Sequence, residues 1–204
     1  MRTGLTSAMR IGIVSDIHCN AAGLAAALER MGAVDALLCA GDIMLEYRFG
    51  NEVAELLRSR GAHCIRGNHD DVLLGYHGER ARAAPHVDPD HLAWLAGLPA
   101  RLELELAGRR ILMVHGSPYA PHYEYLYPGT PRLAQLGTLD CDVLVLGHTH
   151  MQMAERIGRP LVINPGSAGD GRDHRNARQL SYAVLDLENG EAHIENYADP
   201  RLGA

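Results

Sequence analysis

The sequence lacks three features that would place it in a specialised class of protein. No apolar run reaches the roughly 18 residues that a membrane-spanning helix needs. The first residues, MRTGLTSAMRIGIV, contain no apolar core of about 7–15 residues before a cleavage site, so a secretory signal is not expected. The four cysteines stand singly without CxxC spacing, which favours buried free thiols over a disulfide framework. We therefore expect a cytoplasmic protein.

The chain also has fewer basic than acidic residues. The chain has 19 basic and 25 acidic residues, a formal charge of −6 and an isoelectric point near 6.0. This balance disfavours an extended nucleic-acid surface, although a bound metal could still create a local phosphate site. With 204 residues, 47% of them apolar, the chain can bury a core of ordinary size. We expect a flexible tail over residues 1–8 and a single domain over residues 9–204, while two small domains would also fit this length.

Apolar runs and helical patterns alternate in the first third of the chain. Strands are predicted over 9–16, 34–42 and 62–70, with helices over 20–32 and 51–61 between them. Asn51 is the expected cap of the second helix, and Gly61 its end. This order predicts a βαβαβ unit, in which parallel strands present their carboxyl ends along one edge.

The rest of the chain has a different pattern. A short helix is predicted over 88–99, with Asp88 as its cap and Pro89 at its first position. Alternating residues predict β-hairpins over 101–116 and 181–197, buried strands begin at residues 142 and 159, and 117–131 is an irregular loop rich in tyrosine and proline. The chain is therefore of the α/β class, with one mixed sheet or two sheets in one domain.

Polar side chains follow the buried strands at five places. The donors are Asp16, His18, Asp42, Asn68, His115, His148 and His150. Strand-end loops are the usual ligand sites of α/β sheets. A D-x-H or H-x-H pair alone could equally be strand packing, but five such motifs in order are hard to explain that way. Carboxylate, amide and imidazole donors suit manganese, iron, zinc, nickel or cobalt.

The spacing and number of these donors suggest how they are arranged. Residues i and i+2 of an extended segment lie on the same side, so both histidines of GHTH can face one site. Seven donors exceed the needs of one tetrahedral ion and fit two ions that share a bridge. Asp42 is the isolated carboxylate and hence the candidate bridge. Two metals with a bridging hydroxide would form a clamp for in-line attack on phosphorus.

The ordered motifs D-x-H, GD, GNHD, H and GHTH resemble those of the calcineurin-like metallophosphoesterase superfamily, most of all its small YfcE-type phosphodiesterases. The resemblance covers residues 9 to 190 and includes NPGS at 164–167. It implies a metallophosphoesterase fold, a four-layer α/β/β/α sandwich with two mixed β-sheets flanked by helices. It also implies a dinuclear metal-dependent phosphoesterase, a hydrolase of phosphodiester bonds that uses two divalent metal ions, with manganese expected.

The resemblance also implies a role for each matching residue. Asp16, His18 and His150 would hold one metal, Asn68, His115 and His148 would hold the other, and Asp42 would bridge them. His69 matches the family's catalytic histidine, which contacts the phosphate or protonates the leaving oxygen. Asp70 is expected to orient His69.

Two departures from the family pattern bear on the activity. Protein phosphatases of the superfamily carry GDxxDRG, whose arginine grips phosphate, and GNHE. This chain has Glu46 where that arginine would fall, and GNHD. Protein phosphatase and dinucleoside tetraphosphatase activities are therefore disfavoured. Cys19 follows the first histidine ligand, as a small buried filler or as an oxidation-sensitive thiol.

The substrate stays open at this point. A phosphodiesterase is expected, and a phosphomonoesterase, a cyclic-nucleotide or dinucleotide hydrolase, and a non-catalytic protein-binding scaffold are the alternatives. The expected partner is a small phosphoester, with nucleotides included, and no membrane. Side chains that could contact it are His122, His174, Arg172 and Arg175. Tyr119, Tyr123, Tyr125 and Tyr127 could wall a base-binding pocket or form a subunit contact in a homo-oligomer.

Overall fold

A computed structural model describes residues 9–202, which form two mixed five-stranded sheets. From edge to edge, the first sheet contains β10 (Glu191–Tyr197), β9 (Leu180–Asp186), β1 (Arg10–Val14), β2 (Ala36–Cys39) and β3 (His63–Cys64). The second contains β4 (Arg101–Leu106), β5 (Arg109–Val114), β6 (Val143–Val145), β8 (Leu161–Asn164) and β7 (Met153–Arg156). The expected tail over residues 1–8 lies outside the described residues.

The two sheets pack face to face around the main core. Ile11 and Ile13 of β1 meet Ile111 and Met113 of β5, and all four side chains are buried. The central strands β1 and β2 of the first sheet are parallel to each other, as are β5, β6 and β8 of the second, and they are covered on both faces. This burial explains why their sequences are continuous apolar runs and do not alternate.

Helices cover the outer face of the first sheet. In the described residues they are α1 (Ala21–Met31), α2 (Asn51–Ser59), α3 (Asn68–Leu74), α4 (Glu79–Arg82) and α5 (Pro89–Gly97). The Asn20 side chain caps α1 by accepting a hydrogen bond from the Gly23 amide at 2.9 Å. Asp88 caps α5, and Pro89 is its first residue, as predicted. Leu24, Leu28 and Met31 pack α1 against the sheet.

A 3₁₀ segment, Pro131–Thr138, covers the outer face of the second sheet. Its Leu133 and Leu136 pack with Leu126 of the preceding loop against Leu112 and Leu144 of the sheet. The predicted four-layer sandwich of two mixed sheets flanked by helices is therefore confirmed. The fourth layer is this 3₁₀ segment together with the loop before it.

Several local predictions needed correction. Asn51 does not cap α2: Gly50 holds that position, and the Asn51 side chain donates to the His86 carbonyl at 2.6 Å and accepts from the Asp88 amide. The strand predicted over 62–70 shrinks to β3, because Asn68 already begins α3. Strand β7 was not predicted, since only Met153 of its four residues is buried.

The four cysteines are free and buried, which agrees with the expectation of buried free thiols. Among the residues that the structure describes, none of the helices combines the length and apolar character that crossing a lipid bilayer requires.

Candidate metal centre

The seven predicted donors follow strands of both sheets, and six of them meet in two clusters. Asp16 and His18 follow β1, Asp42 follows β2, and Asn68 opens α3 after β3. From the second sheet, His115 follows β5, and His148 and His150 follow β6. Because the carboxyl ends of these parallel strands lie at one edge of the sandwich, loops far apart in sequence meet there.

Asp16, His18 and His150 form the first donor cluster. His150 Nε2 lies 3.2 Å from Asp16 Oδ1 and 3.1 Å from His18 Nε2. One ligand atom from each of the three residues lies within 4.8 Å of the others, and all three residues are buried. Two imidazole nitrogens and a carboxylate oxygen at this spacing are suited to surround one cation.

Asp42, His115 and His148 form the second cluster, and all three are buried. His115 Nε2 lies 3.2 Å from Asp42 Oδ2. Within residues 9–202, His148 Nε2 and Asn68 Oδ1 are buried without a hydrogen-bond partner. Buried polar atoms in folded proteins are nearly always satisfied, so each of these two atoms fits a cation that would bind it.

Asp42 connects the two clusters. Its Oδ2 lies 3.2 Å from His115 Nε2 in the second cluster and 4.0 Å from His18 Nε2 in the first. Its Oδ1 accepts a hydrogen bond from the His69 amide at 2.9 Å, which fixes the carboxylate in the middle of the site. This is the place that a bridging carboxylate would occupy.

Backbone carbonyls orient two of the imidazole rings. Nδ1 of His150 lies 2.7 Å from the Asp170 carbonyl oxygen, and Nδ1 of His115 lies 2.7 Å from the Ala40 carbonyl oxygen. Each ring must donate its Nδ1 proton to that oxygen, so Nε2 is the nitrogen that faces the site. Such outer contacts are typical of metal-binding histidines, because they fix the tautomer and the ring orientation.

Five of the seven donors have a left-handed backbone conformation. The φ angles are 53° for Asp16, 49° for His18, 52° for Asp42, 68° for His148 and 56° for His150. The reasoning from an extended segment was therefore wrong: β1 and β6 end before these residues, and tight turns direct the side chains inward. Non-glycine residues rarely adopt this conformation, and such strain clusters at functional sites.

Two glycines permit the close approach of these loops. A β-carbon on Gly67 would overlap Oδ1 of Asp42. A β-carbon on Gly147 would overlap the Ser15 hydroxyl and would stand 2.9 Å from Asp16 Oδ2. Any larger residue at either position would push a ligand carboxylate aside.

In the second cluster, a protonated His115 balances the charge of the buried carboxylates. Burial opposes ionisation of Asp42, but His115 outweighs it and holds the pKa of the carboxyl below its ordinary value. Burial likewise favours a neutral His115, yet Asp42 and Asp16 outweigh it and raise the pKa of this ring to about 10. Burial and His115 lower the pKa of His148 to about 4, which leaves it neutral and able to bind a metal.

The family model of the calcineurin-like phosphoesterase superfamily domain matches residues 9–190. The chain belongs to that superfamily. The predicted family resemblance is thus confirmed, and the donor clusters described above are plausible sites for the divalent metal ions that the family implies.

Individual proteins resemble the chain over most of its length. The uncharacterized protein MJ0912 of Methanocaldococcus jannaschii is 27% identical over an alignment of 213 positions, gaps included, which covers 90% of this chain and 85% of that protein. A metallophosphoesterase from Sphaerobacter thermophilus has a TM-score of 0.73 and 28% identity, covering 95% of this chain and 89% of its own. The phosphoesterase Yfce from E. coli shares the fold, with a TM-score of 0.54 and 20% identity over 92% of this chain and 99% of its own.

His69 lies beside the two clusters of this superfamily member. Its Nε2 is 3.8 Å from Asp42 Oδ2, and its Nδ1 is 2.9 Å from Glu46 Oε2. The ring is partly exposed and lies edge-on to His18, with ring centroids 4.7 Å apart. One nitrogen therefore faces the donor clusters while a carboxylate contacts the other.

Asp70 was predicted to orient His69, but its contacts indicate a different role. Its buried carboxylate accepts hydrogen bonds from the amides of Gly67 at 2.9 Å, Met44 at 2.8 Å and Ile43 at 3.2 Å. It thus ties the loop after β2 to the start of α3, and Glu46 is the acid that contacts the His69 ring. Sequence reasoning missed this role of Glu46, although its place in GDIMLEYRFG was the available signal.

The other side chains predicted to contact the substrate already have partners within the protein. Arg172 pairs with Asp170 at 2.7 Å, and Arg175 pairs with Asp173 at 2.6 Å. His122 Nδ1 lies 2.6 Å from Asp71 Oδ2, and His174 Nε2 lies 3.1 Å from a guanidinium nitrogen of Arg178. Both predicted arginines therefore have a carboxylate partner already.

Proposed function

We propose that this superfamily member is a dinuclear metal-dependent phosphodiesterase. Asp16, His18 and His150 would hold one divalent ion, Asn68, His115 and His148 would hold the other, and Asp42 would bridge them. When bound, the two ions would supply Lewis-acid activation of the phosphoester and of an attacking water. The orphaned ligand atoms and the position of Asp42 between the two clusters support this assignment.

His69 is the proposed acid for the leaving oxygen. A proton on Nε2 would face the phosphoester, because Nδ1 is turned toward Glu46 at 2.9 Å. The contact with Glu46 would hold the orientation of the ring. Asp70 would act only indirectly, by fixing the loop from which Glu46 projects.

The position of the Glu46 carboxylate beside His69 is the observation that supports a preference for diesters. A phosphomonoester is largely a dianion at neutral pH, whereas a diester is a monoanion. A carboxylate beside His69 repels the dianion more strongly, since Coulomb energy scales with the product of the charges. The phosphate-gripping arginine of the protein phosphatases is replaced by this acid, which disfavours monoesters further.

Manganese is the proposed metal, because the set of carboxylate, amide and imidazole donors suits it. Iron, zinc, nickel and cobalt accept the same donors, and cellular supply often decides between them. We propose a small phosphoester as the substrate and the cytoplasm as the location. The four free thiols agree with a reducing compartment.

Elemental analysis and paired substrates test this function. The protein supplied with manganese should bind about two ions per chain and hydrolyse bis(p-nitrophenyl) phosphate faster than p-nitrophenyl phosphate. His69→Ala and Asp42→Asn should each abolish nearly all turnover, whereas the exposed His193→Ala on β10 should not change it. Faster cleavage of the monoester would contradict the diester assignment, and full activity of Asp42→Asn would contradict the bridge.

A further inference from the structure

Exposed tyrosines are concentrated in the loop over residues 117–131. In the part of the chain that the structure describes, this loop supplies four of the seven large apolar side chains that are exposed: Tyr119, Tyr123, Tyr125 and Tyr127. The loop begins two residues after His115, and the ring of Tyr125 contacts His148 of the candidate metal centre. Aromatic rings that stay exposed next to a polar site are typical of ligand binding.

Tyr125 makes direct contact with the metal centre. Its ring stacks on the imidazole of His148, with centroids 3.8 Å apart and planes 26° apart. The ring of Tyr127 lies nearly parallel to that of Tyr125, at 5.8 Å and 10°. Tyr125 nevertheless remains 52% exposed. A flat aromatic surface thus begins at a proposed metal ligand and extends outward from it.

The backbone on both sides of Tyr125 is held in place. The Glu124 carboxylate accepts hydrogen bonds from the Ser117 hydroxyl and from the Arg132 guanidinium, the latter at 2.5 Å. On the other side, Leu126 is buried in the core outside the second sheet. Tyr125 is therefore fixed before any ligand arrives, which lowers the entropic cost of stacking a ligand against it.

We propose that Tyr125 and Tyr127 form a stacking surface for the base of a nucleoside phosphoester. This inference rests on the proposed function, because the phosphate of such a ligand would lie at the donor clusters beside His148. The base would then contact the exposed part of the aromatic surface. A subunit contact over the same rings would instead cover the approach to the centre. Stacking one base on an aromatic side chain changes affinity by about 5- to 150-fold.

The methyl phosphodiesters of adenosine 5′-monophosphate and of 1-O-methylribose 5-phosphate test the inference, because both are monoanionic diesters and one of them lacks the base. Their binding is measured by calorimetry on manganese-supplied protein in the His69→Ala background, which prevents turnover. We expect the nucleotide to bind about ten-fold or more tightly than the sugar phosphate. Tyr125→Leu should reduce this ratio to near one, while Tyr125→Phe should preserve it. Tyr76→Leu, which removes a ring that is 84% exposed outside the loop, should leave the ratio unchanged.

Each alternative result has a separate meaning. Equal binding of the two ligands would overturn the base site and leave the phosphate centre intact. Failure of both ligands to bind would overturn the phosphate centre and the inference together. A change in oligomeric state on Tyr125→Leu, with the binding ratio unaltered, would overturn the inference and assign the loop to a subunit contact. Manganese content, measured in each variant, reports whether His148 still serves as a ligand.

Discussion

Glu46 Oε2 lies 2.9 Å from Nδ1 of His69, and this contact turns the other ring nitrogen toward Asp42. Glu46 lies in the loop after β2, whereas His69 lies in the first turn of α3. Their pairing gives the proposed acid a fixed orientation and places a negative charge close to the phosphate position. Both effects can be separated by substitution, because glutamine keeps a polar side chain of the same length beside the ring and removes the charge.

We predict that Glu46→Gln lowers the rate on a diester only a few-fold and raises the relative rate on the monoester. Glu46→Ala removes the contact with His69 altogether, so kcat should fall by about 10- to 100-fold, as for other partners of catalytic and metal-binding rings. Steady-state kinetics on the two p-nitrophenyl esters measures both effects. Glu155→Gln, on the exposed part of β7, is the matched control. An unchanged ratio of diester to monoester in Glu46→Gln would remove the electrostatic basis of the preference.

Asp70→Ala is predicted to act mainly on the stability of the fold. The substitution leaves the amides of Gly67, Met44 and Ile43 buried without an acceptor. At about 1–3 kcal/mol for each unsatisfied group, the free energy of unfolding should fall by roughly 3 kcal/mol or more. Denaturant unfolding measures the loss, and the neighbouring Asp71→Ala should cost less, because its carboxylate is partly exposed. Equal losses would argue against the proposed anchoring role.

Much of the architecture could be predicted from the sequence because its signals are local. Alternation at Leu102, Leu104 and Leu106 identified the hairpin of β4 and β5, which pairs Leu106 with Arg109 across the turn. The continuous apolar runs of β1 and β6 indicated strands buried on both faces. Five polar motifs, each following such a strand, were enough to predict where the site lies.

The details of the site depend on interactions that no local pattern encodes. The left-handed turns at Asp16 and His148 are imposed by the close packing of loops from both sheets, where Gly147 approaches Ser15. Asp70 appeared to be the partner of His69 because it is adjacent in sequence. On a helix, however, neighbouring side chains point in different directions, which leaves the His69 ring to Glu46, 23 positions earlier in the chain.

Gly67→Ala is predicted to impair metal binding without altering any ligand. The new methyl group would overlap the Oδ1 atom of Asp42 and displace the proposed bridge. Elemental analysis should therefore show less than about two ions per chain, and activity should fall in parallel. Gly97→Ala is the matched control, because a β-carbon at that position of α5 meets nothing within 4 Å. Full manganese content in Gly67→Ala would mean that Asp42 does not hold both ions.

Metal removal is predicted to lower the thermal stability of the protein. Without a cation, the buried carboxylates of Asp16 and Asp42 lie together, and Nε2 of His148 has no partner among the described residues. Manganese at about 100 times its dissociation constant should add roughly 2.7 kcal/mol of stability, since it binds the folded state. Thermal unfolding with chelator and with increasing manganese measures this shift. Asp42→Asn should lose most of the shift, whereas His193→Ala should retain it. If Asp42→Asn were stabilised as strongly as the unaltered protein, the ions that stabilise the fold would have to bind away from Asp42.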